Sequence, residues 1–245
     1  MTVEVLPSTD ELARVVATRL VERLLEVQRD GRVPSVVLTG GSIAEAVHRA
    51  VLSVREHGSV DWSRVEVWYG DERFVPAGDG DRNALQARNA LLSALPLDAD
   101  RVHEMPASDG AHGDDADAAA ASYGAEVLDV LGDDGRFDVL MLGVGPDGHC
   151  ASLFPGHEAV RARGVAVAVH DSPKPPPTRI SLCMDTLGRA DEVWFIASGD
   201  GKAQAVHDAL TSADVMAVPA SGPKGRERTV WFLDTEAASR LPDSA

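Results

Sequence analysis

A histidine that follows a glycine-rich segment has the surroundings most favourable for chemistry in this sequence. His149 comes directly after residues 143–148 (GVGPDG), and Asp147 stands two positions before it. Histidine is a ready general base near neutral pH because its unperturbed pKa is about 6.5. A neighbouring carboxylate can hold the imidazole ring in one orientation. We therefore predict that His149 acts as a general base oriented by Asp147; the alternative is a structural histidine held by hydrogen bonds.

The same glycines also match a cofactor-binding pattern. Residues 143–148 fit G-x-G-x-x-G and follow an apolar run, and Asp171 lies about 20 residues further on, where a ribose-binding acid is expected. The crossover helix, however, would have to form over residues 149–164, which a proline and glycines interrupt. We therefore predict that the turn does not bind a nicotinamide cofactor. The turn instead presents His149, and we place Gly148 among the residues that bind substrate.

A second glycine turn, at residues 39–42 (TGGS), is predicted to lie between a strand and a helix. A short apolar run precedes it, and apolar residues recur at helical spacing after it. Backbone N–H groups and the positive end of the helix would face an anion there. We predict that Gly40, Gly41 and Ser42 bind substrate; the alternative is an ordinary turn in which Ser42 caps the helix.

Four cationic side chains stand at predicted strand or helix ends, where they could bind an anion. Arg73 closely follows an apolar strand, and a guanidinium can hold phosphate or carboxylate through two hydrogen bonds. Lys174 and Arg179 flank a stiff proline-rich loop, and Lys202 opens a predicted helix. The alternatives are a solvated loop at Arg73, a linker or edge-protecting loop at the prolines and a plain turn at Lys202.

Short apolar strands alternate with helical stretches along the chain. Strands are predicted over residues 35–38, 65–69, 101–105, 137–142, 165–169, 179–183, 192–197 and 230–233. Helices are predicted over residues 12–27, 43–54, 83–92 and 115–131 and from near residue 202. This order predicts an α/β fold with an open, mostly parallel sheet and helices on both faces, and some antiparallel pairing after residue 160. We expect the sheet to begin near residue 35 and its site to lie at the carboxyl ends of the strands.

Length and charge limit the classes of partner. A chain of 245 residues can form one large α/β domain, and we predict a single domain over residues 1–245. Lys and Arg number 23 against 39 Asp and Glu, which gives a formal charge of -16. That sign disfavours sequence-independent binding to a phosphate backbone. We therefore expect no nucleic-acid partner, whereas a small anion remains compatible with a locally basic site.

Cysteine content and hydropathy point to one compartment. The two cysteines, Cys150 and Cys183, are too few for a disulfide framework and lack metal-ligand spacing. The first residues lack the basic and apolar regions of a secretory signal, and no apolar run approaches the roughly 20 residues needed to span a bilayer. We expect a cytoplasmic chain with no membrane partner and no metal.

Four segments, taken together, resemble the 6-phosphogluconolactonase family. They are residues 39–42 (TGGS), 71–73 (DER), 143–156 (GVGPDGHCASLFPG) and 174–180 (KPPPTRI). The resemblance implies the open α/β fold of sugar-phosphate isomerases (Rossmann-like) and hydrolysis of 6-phospho-D-glucono-1,5-lactone in the pentose phosphate pathway. It implies this phosphorylated sugar lactone as the substrate. We expect no cofactor and a monomer or small homo-oligomer. The family's site residues correspond here to His149 as the base that activates water, to Gly41, Ser42 and Arg73 in the site, and to Lys174 and Arg179 as ligands of substrate anions.

Two alternatives remain beside this resemblance. Glucosamine-6-phosphate deaminase also has a glycine-rich turn ending in Asp-Gly-His, but its motif continues with Asn-Glu, where Leu153 and Phe154 stand in this chain. A non-catalytic sugar-phosphate sensor would need an added DNA-binding helix pair. One departure from the lactonase pattern is Cys150, which replaces a common threonine and removes a hydroxyl group.

Overall fold

The computed structural model describes residues 1–132 and 136–242, and its largest element is a six-stranded parallel sheet. Within the described residues the strands are β1 (Thr2–Leu6), β2 (Ser35–Leu38), β3 (Glu66–Tyr69), β4 (Asp71–Arg73), β5 (Val139–Gly143), β6 (Ala166–Val169), β7 (Arg179–Leu182), β8 (Glu192–Ala197) and β9 (Arg228–Asp234). The large sheet has the order β1-β9-β8-β5-β2-β3, and all its neighbouring strands are parallel. Every residue of β8 is buried. Because side chains alternate between the two faces, both faces of the sheet are covered there.

A small antiparallel sheet continues from the edge of the large one. It has the order β4-β7-β6, and Arg73 stands opposite Arg179. Gly70 links the two sheets, because its N–H donates to the Leu38 carbonyl at 3.0 Å while its own carbonyl accepts from the Leu182 N–H at 2.9 Å. The predicted α/β fold with a mostly parallel sheet is confirmed, and so is the antiparallel pairing after residue 160.

Helices cover the sheets through apolar faces. They are α1 (Thr9–Arg29), α2 (Ser42–Val51), α3 (Asn83–Ala90), α4 (Ala116–Leu131), the short α5 (Met184–Leu187) and α6 (Ala203–Thr211). α1 begins where the Ser8 hydroxyl accepts from the Glu11 N–H at 3.2 Å, and α4 begins where Asp115 accepts from the Ala118 N–H at 2.9 Å. α1 packs on α2 and on β1 and β9, whereas α4 packs on β6 and β7.

The strand predicted over residues 101–105 is wrong. Only Val102 forms a bridge to β3, through Val67, after a 3-10 turn at Ala99–Arg101. The last bond to β3 is the one that the His103 N–H donates to the Val67 carbonyl at 2.9 Å. Further on, the Met105 carbonyl accepts from the Arg82 guanidinium at 2.6 Å, and the next residue is proline, which has no N–H to donate to a strand.

The sheet also begins earlier than residue 35. β1 pairs with β9 from Thr2 opposite Val230 onward and forms one edge of the large sheet. Val3 and Val5 of this strand stay exposed. A five-residue strand with a single neighbour buries little apolar surface, so no continuous apolar run marks it in the sequence.

The segment after β5 does not form a dinucleotide-binding crossover. Between β5 and β6 the described chain contains turns and a 3-10 turn at Glu158–Arg161, and no α-helix. Glycines that open such a crossover must lead into a helix whose N-terminus faces the pyrophosphate. The prediction that residues 149–164 do not supply that helix is confirmed. No helix within residues 1–132 and 136–242 is long and apolar enough to cross a membrane.

Candidate active site

A cavity of about 350 Å³ opens at the carboxyl ends of four parallel strands. Loops that follow β2, β3, β5 and β8 meet there, as parallel pairing requires. The lining residues are Thr39, Gly40, Gly41, Asp71, Arg73, Asn83, Gly143, Val144, Gly145, Pro146, His149, Ala151, Lys174, Pro175, Arg179 and Lys202.

The turn after β5 is shaped to carry His149. The Gly145 N–H donates to the His149 carbonyl at 2.9 Å, and the Gly148 N–H donates to the Gly145 carbonyl at 2.9 Å. Gly148 has φ +84°, which glycine adopts without strain. A Cβ on Gly145 would lie 2.0 Å from the imidazole of His149, so glycine at this position makes room for the ring.

The side chains of Asp147 and Lys174 meet beside the ring of His149. Its Nδ1 lies 2.5 Å from Asp147 Oδ1, and Lys174 Nζ lies 3.0 Å from the same oxygen and 3.2 Å from Nδ1. Partial burial acts to raise the pKa of Asp147, but the hydrogen bonds and charges of His149 and Lys174 outweigh it and hold that pKa well below its ordinary value. Asp147 is therefore a carboxylate that can accept both donors at neutral pH.

The ring of Phe154 packs against these groups. It is fully buried, and its ring centroid lies 4.6 Å from that of His149. Lys174 Nζ and Arg179 Cζ lie 5.9 Å and 5.5 Å from the same ring centroid, within cation–π distance. An aromatic ring thus supports the histidine and two cations in the part of the motif where the deaminase pattern has Asn-Glu.

Arg179 fixes the proline-rich loop to the cavity wall. Its Nη2 donates to the carbonyls of Pro175 at 2.9 Å and Lys174 at 3.2 Å. Burial lowers the pKa of Arg179, yet a guanidinium stays charged in proteins. Arg73 stands opposite Arg179 in the pairing of β4 with β7, so the small sheet brings two guanidinium groups to one cavity.

Lys202 completes a basic lining. Burial, followed by the nearby charge of Lys174, lowers the pKa of Lys202, although the charge of Asp147 acts to raise it. Four cationic residues line the cavity, against Asp71 on its wall and Asp147 beside it. The chain as a whole carries a formal charge of -16, so the site is locally basic within an acidic protein.

The structure brings most of the predicted site residues together. Those that line the cavity are Gly40, Gly41, Arg73, His149, Lys174, Arg179 and Lys202. Asp147 contacts two of them, whereas Gly148 shapes the turn from outside the lining and packs near Val218. Ser42 lies exposed in the first turn of α2, outside the lining residues, and Gly41 with φ +99° occupies the N-cap position that the alternative gave to Ser42.

Asp71 and Asn83 line the cavity with polar side chains, and neither was in the predicted set. Asp71 accepts from the Ser152 hydroxyl at 2.6 Å and from Asn83 Nδ2 at 3.3 Å. Asp71 had a usable signal, since it follows β3 almost directly, but Asn83 had none beyond its place at a predicted helix start. The N–H groups of Gly145 and Gly148 are bonded within the His149 turn, so neither is free to donate to an oxyanion.

No group of three or more histidine, cysteine, aspartate or glutamate side chains within the described ranges could hold a metal ion. The departure at Cys150 places a fully buried thiol beside the site. Burial raises the pKa of this thiol, and the charge of Asp71 adds to the effect. Cys150 is therefore an uncharged packing residue next to His149.

Known proteins share both the sequence and the fold of this chain. A protein from Streptomyces coelicolor named 6-phosphogluconolactonase is 47% identical over 239 residues, covering 95% of this chain and 92% of its own length. The solved structure of 6-phosphogluconolactonase from Trypanosoma cruzi has a TM-score of 0.82 at 28% identity and covers 98% of this chain and 96% of its own. A monomeric glucosamine-6-phosphate deaminase has a TM-score of 0.79 at 20% identity, with 98% and 99% covered, which shows a shared fold alone. The family model described as glucosamine-6-phosphate isomerases/6-phosphogluconolactonase matches residues 7–231, and the chain therefore belongs to that family.

Proposed function

We propose that this chain hydrolyses 6-phospho-D-glucono-1,5-lactone to 6-phospho-D-gluconate, the lactonase step of the pentose phosphate pathway. The observation that carries the proposal is the contact of His149 Nδ1 with Asp147 at 2.5 Å in a cavity lined by four cations. A base is what lactone hydrolysis needs, and a basic lining suits a phosphorylated substrate. The names of the relatives supply the substrate.

The proposed chemistry places the base on the far nitrogen of the ring. When the Nδ1–H of His149 donates to Asp147, Nε2 carries the free lone pair. Nε2 takes a proton from water as the water oxygen bonds to lactone C1, and a tetrahedral oxyanion forms. The bond from C1 to the ring oxygen then breaks, and that oxygen receives the proton from the imidazolium. The new carboxylic acid ionises in solution.

The cavity cations are proposed to bind the two negative centres of the reaction. Arg73, Lys174, Arg179 and Lys202 surround the space beside His149, and they would hold the phosphate and stabilise the oxyanion. Gly40 and Gly41 leave the backbone of the first turn close to the cavity. The positions of Ser42 and Gly148 outside the lining favour indirect roles, at the start of α2 and in the shape of the turn.

The decisive experiment replaces the proposed base. His149→Ala should lower kcat by about 10²- to 10⁴-fold, because general-base assistance is typically worth that much. The rate of acid release from freshly made 6-phosphogluconolactone should be measured above the spontaneous background and compared with unphosphorylated gluconolactone. Turnover close to that of the unaltered chain would contradict the assignment. Tight binding of 6-phosphogluconate with no acceleration of hydrolysis would favour a sensor instead.

We extend the proposal to the setting in which the chain works. Two buried, unpaired cysteines among the described residues suit a reducing compartment, which supports the cytoplasm. The formal charge of -16 supports the absence of a nucleic-acid partner. We propose that the chain is a monomer or a small homo-oligomer. Sedimentation analysis would test this by measuring the mass of the assembly in solution, and a large assembly would contradict it.

A further inference from the structure

Asn83 joins three parts of the cavity wall. It is the first residue of α3, it is 3% exposed, and it lines the cavity. Its Oδ1 accepts from Arg73 Nη1 at 2.5 Å, and its Nδ2 donates to the Asp71 carbonyl at 2.9 Å and to Asp71 Oδ1 at 3.3 Å. One carboxamide therefore contacts the negatively charged Asp71 and the positively charged Arg73 at the same time.

The turn after β2 is built around the same carboxamide. A Cβ on Gly40 would lie 1.9 Å from Asn83 Oδ1, which means that the amide packs directly on the glycine backbone. Gly40 is thus required for the approach of Asn83. The position of the Asn83 side chain is fixed from this side by main chain, which cannot move aside as a flexible side chain can.

The backbone of Asn83 is held from the other side by Glu72. The N–H groups of Asn83 and Ala84 donate to the two carboxylate oxygens of Glu72 at 2.7 Å and 2.8 Å. Glu72 is fully buried, with Arg82 Nη2 3.7 Å from its carboxylate. All three residues of β4 therefore contact the start of α3, and Asn83 is anchored through both its main chain and its side chain.

The geometry of β4 explains what the carboxamide does. Asp71 and Arg73 are two positions apart on a strand, so their side chains leave the same face and can reach each other. A direct ion pair would neutralise Arg73 and turn it away from the cavity. Asn83 stands between them, since its carboxamide donates to Asp71 and accepts from Arg73 Nη1. The same nitrogen of Arg73 also donates to the Asp81 carbonyl at 2.8 Å, two residues before Asn83.

We infer that Asn83 is a positioning residue that keeps the Arg73 guanidinium separate from Asp71 and directed into the cavity, where it meets a substrate anion. The inference rests on the proposed function, because it takes Arg73 as a ligand of the phosphorylated lactone or its oxyanion. It assigns a role to a residue outside the predicted site set.

The test is a double-mutant cycle on kcat/KM for 6-phosphogluconolactone. Asn83→Leu should lower kcat/KM by about 10- to 100-fold, the range expected when a hydrogen bond to a charged group is lost. In an Arg73→Met background the same change should lower kcat/KM by less than about threefold, since the group that Asn83 positions is gone. Equal reductions in both backgrounds would overturn the inference.

The test also includes a second variant of Asn83 and a matched control. Asn83→Asp keeps the size of the side chain and its acceptor but loses the donor to Asp71. This change should also lower kcat/KM, and by less in the Arg73→Met background than in the unaltered chain. It replaces Asn83→Leu in the cycle where the leucine variant does not fold. Asn89→Leu changes the same residue type at an exposed position of α3 and should stay within about twofold of the unaltered chain.

The outcomes separate this inference from the proposed function. Loss of activity in His149→Ala and Arg73→Met, together with non-additive Asn83 effects, supports both. Loss in those two variants with additive Asn83 effects overturns the positioning role alone. Unchanged turnover in His149→Ala and Arg73→Met overturns the proposed function itself, and the inference falls with it.

Discussion

At the scale of single residues, the ring of His149 fits into the site because Gly145 has no side chain. A side chain at position 145 would occupy the volume of the imidazole, with its Cβ 2.0 Å from the ring. The same turn closes through the hydrogen bond from the Gly145 N–H to the His149 carbonyl. Glycine at position 145 is therefore needed for the position of the imidazole ring.

Gly145→Ala should displace the ring and lower kcat by about 100-fold, the loss that a shift of about 1 Å can cause at a reacting centre. Gly58→Ala is the matched control, because Gly58 has no heavy atom within 4 Å of the added Cβ. Steady-state rates of both variants, with thermal unfolding to confirm that they fold, provide the measurement. A fully active Gly145→Ala enzyme would show that the ring position is not critical.

Lys174 and Lys202 carry the same charge into one cavity but have different contacts. Lys174 donates to Asp147 at 3.0 Å beside His149. We expect Lys174→Met to lower kcat by about 10-fold or more, because a charge-assisted hydrogen bond that holds the pair is lost. Lys202→Met should act chiefly by raising KM. The same change in kcat and KM for both variants would contradict this division.

At the scale of elements, α2 carries a titratable group in its buried face. His48 is 3% exposed, and burial lowers its pKa to about 4, with Glu45 acting against the shift and Arg49 adding to it. The folded pKa lies below the ordinary value, so the unfolded chain takes up the proton first. Stability is therefore full above about pH 6.5 and falls as the pH drops toward 4.

His48→Leu should remove this acid-side loss, which amounts to about 3 kcal/mol for a fully buried group with that shift. Urea unfolding at pH 7 and pH 4 gives the free energies of unfolding. His112→Gln, at a half-exposed turn residue, serves as the comparison for removal of a histidine from outside the buried face of α2. An identical pH dependence in His48→Leu and the unaltered chain would exclude His48 as the cause.

The elements themselves were predictable where a continuous signal marked them. α1 has a capping serine and a helical apolar period, and β8 is a continuous apolar run, so both were predicted within a few residues. β4 was missed because its three charged residues resemble a solvated loop. Its pairing with β7, which brings Arg73 opposite Arg179, depends on a partner more than 100 residues away.

At the scale of the whole molecule, hydrogen bonds and a cluster of buried apolar residues join the large sheet to the small one. Gly70 bonds to β2 on one side and to β7 on the other, and the buried apolar residues form a cluster that includes Leu38 and Leu182. A boundary between domains would leave few contacts crossing it. The single domain over residues 1–245 remains a prediction that these contacts support.

Calorimetry should therefore show one unfolding transition whose calorimetric enthalpy equals the van't Hoff enthalpy. Two resolved transitions, or a calorimetric enthalpy well above the van't Hoff value, would indicate that the small sheet unfolds separately. The measurement belongs at neutral pH, above the range in which His48 takes up a proton.

The sequence by itself determined which chemical groups are present and which local turns carry them. Glycines at 143, 145 and 148 and prolines at 175–177 restrict the backbone locally, so the presentation of His149, Lys174 and Arg179 at loop ends could be predicted. Only the tertiary structure decided which groups that are distant in the sequence touch. Lys174 meets Asp147 across 27 positions, and Asn83 separates Asp71 from Arg73. Such contacts depend on how distant strands and loops are placed by packing, and no local pattern of residues encodes that placement.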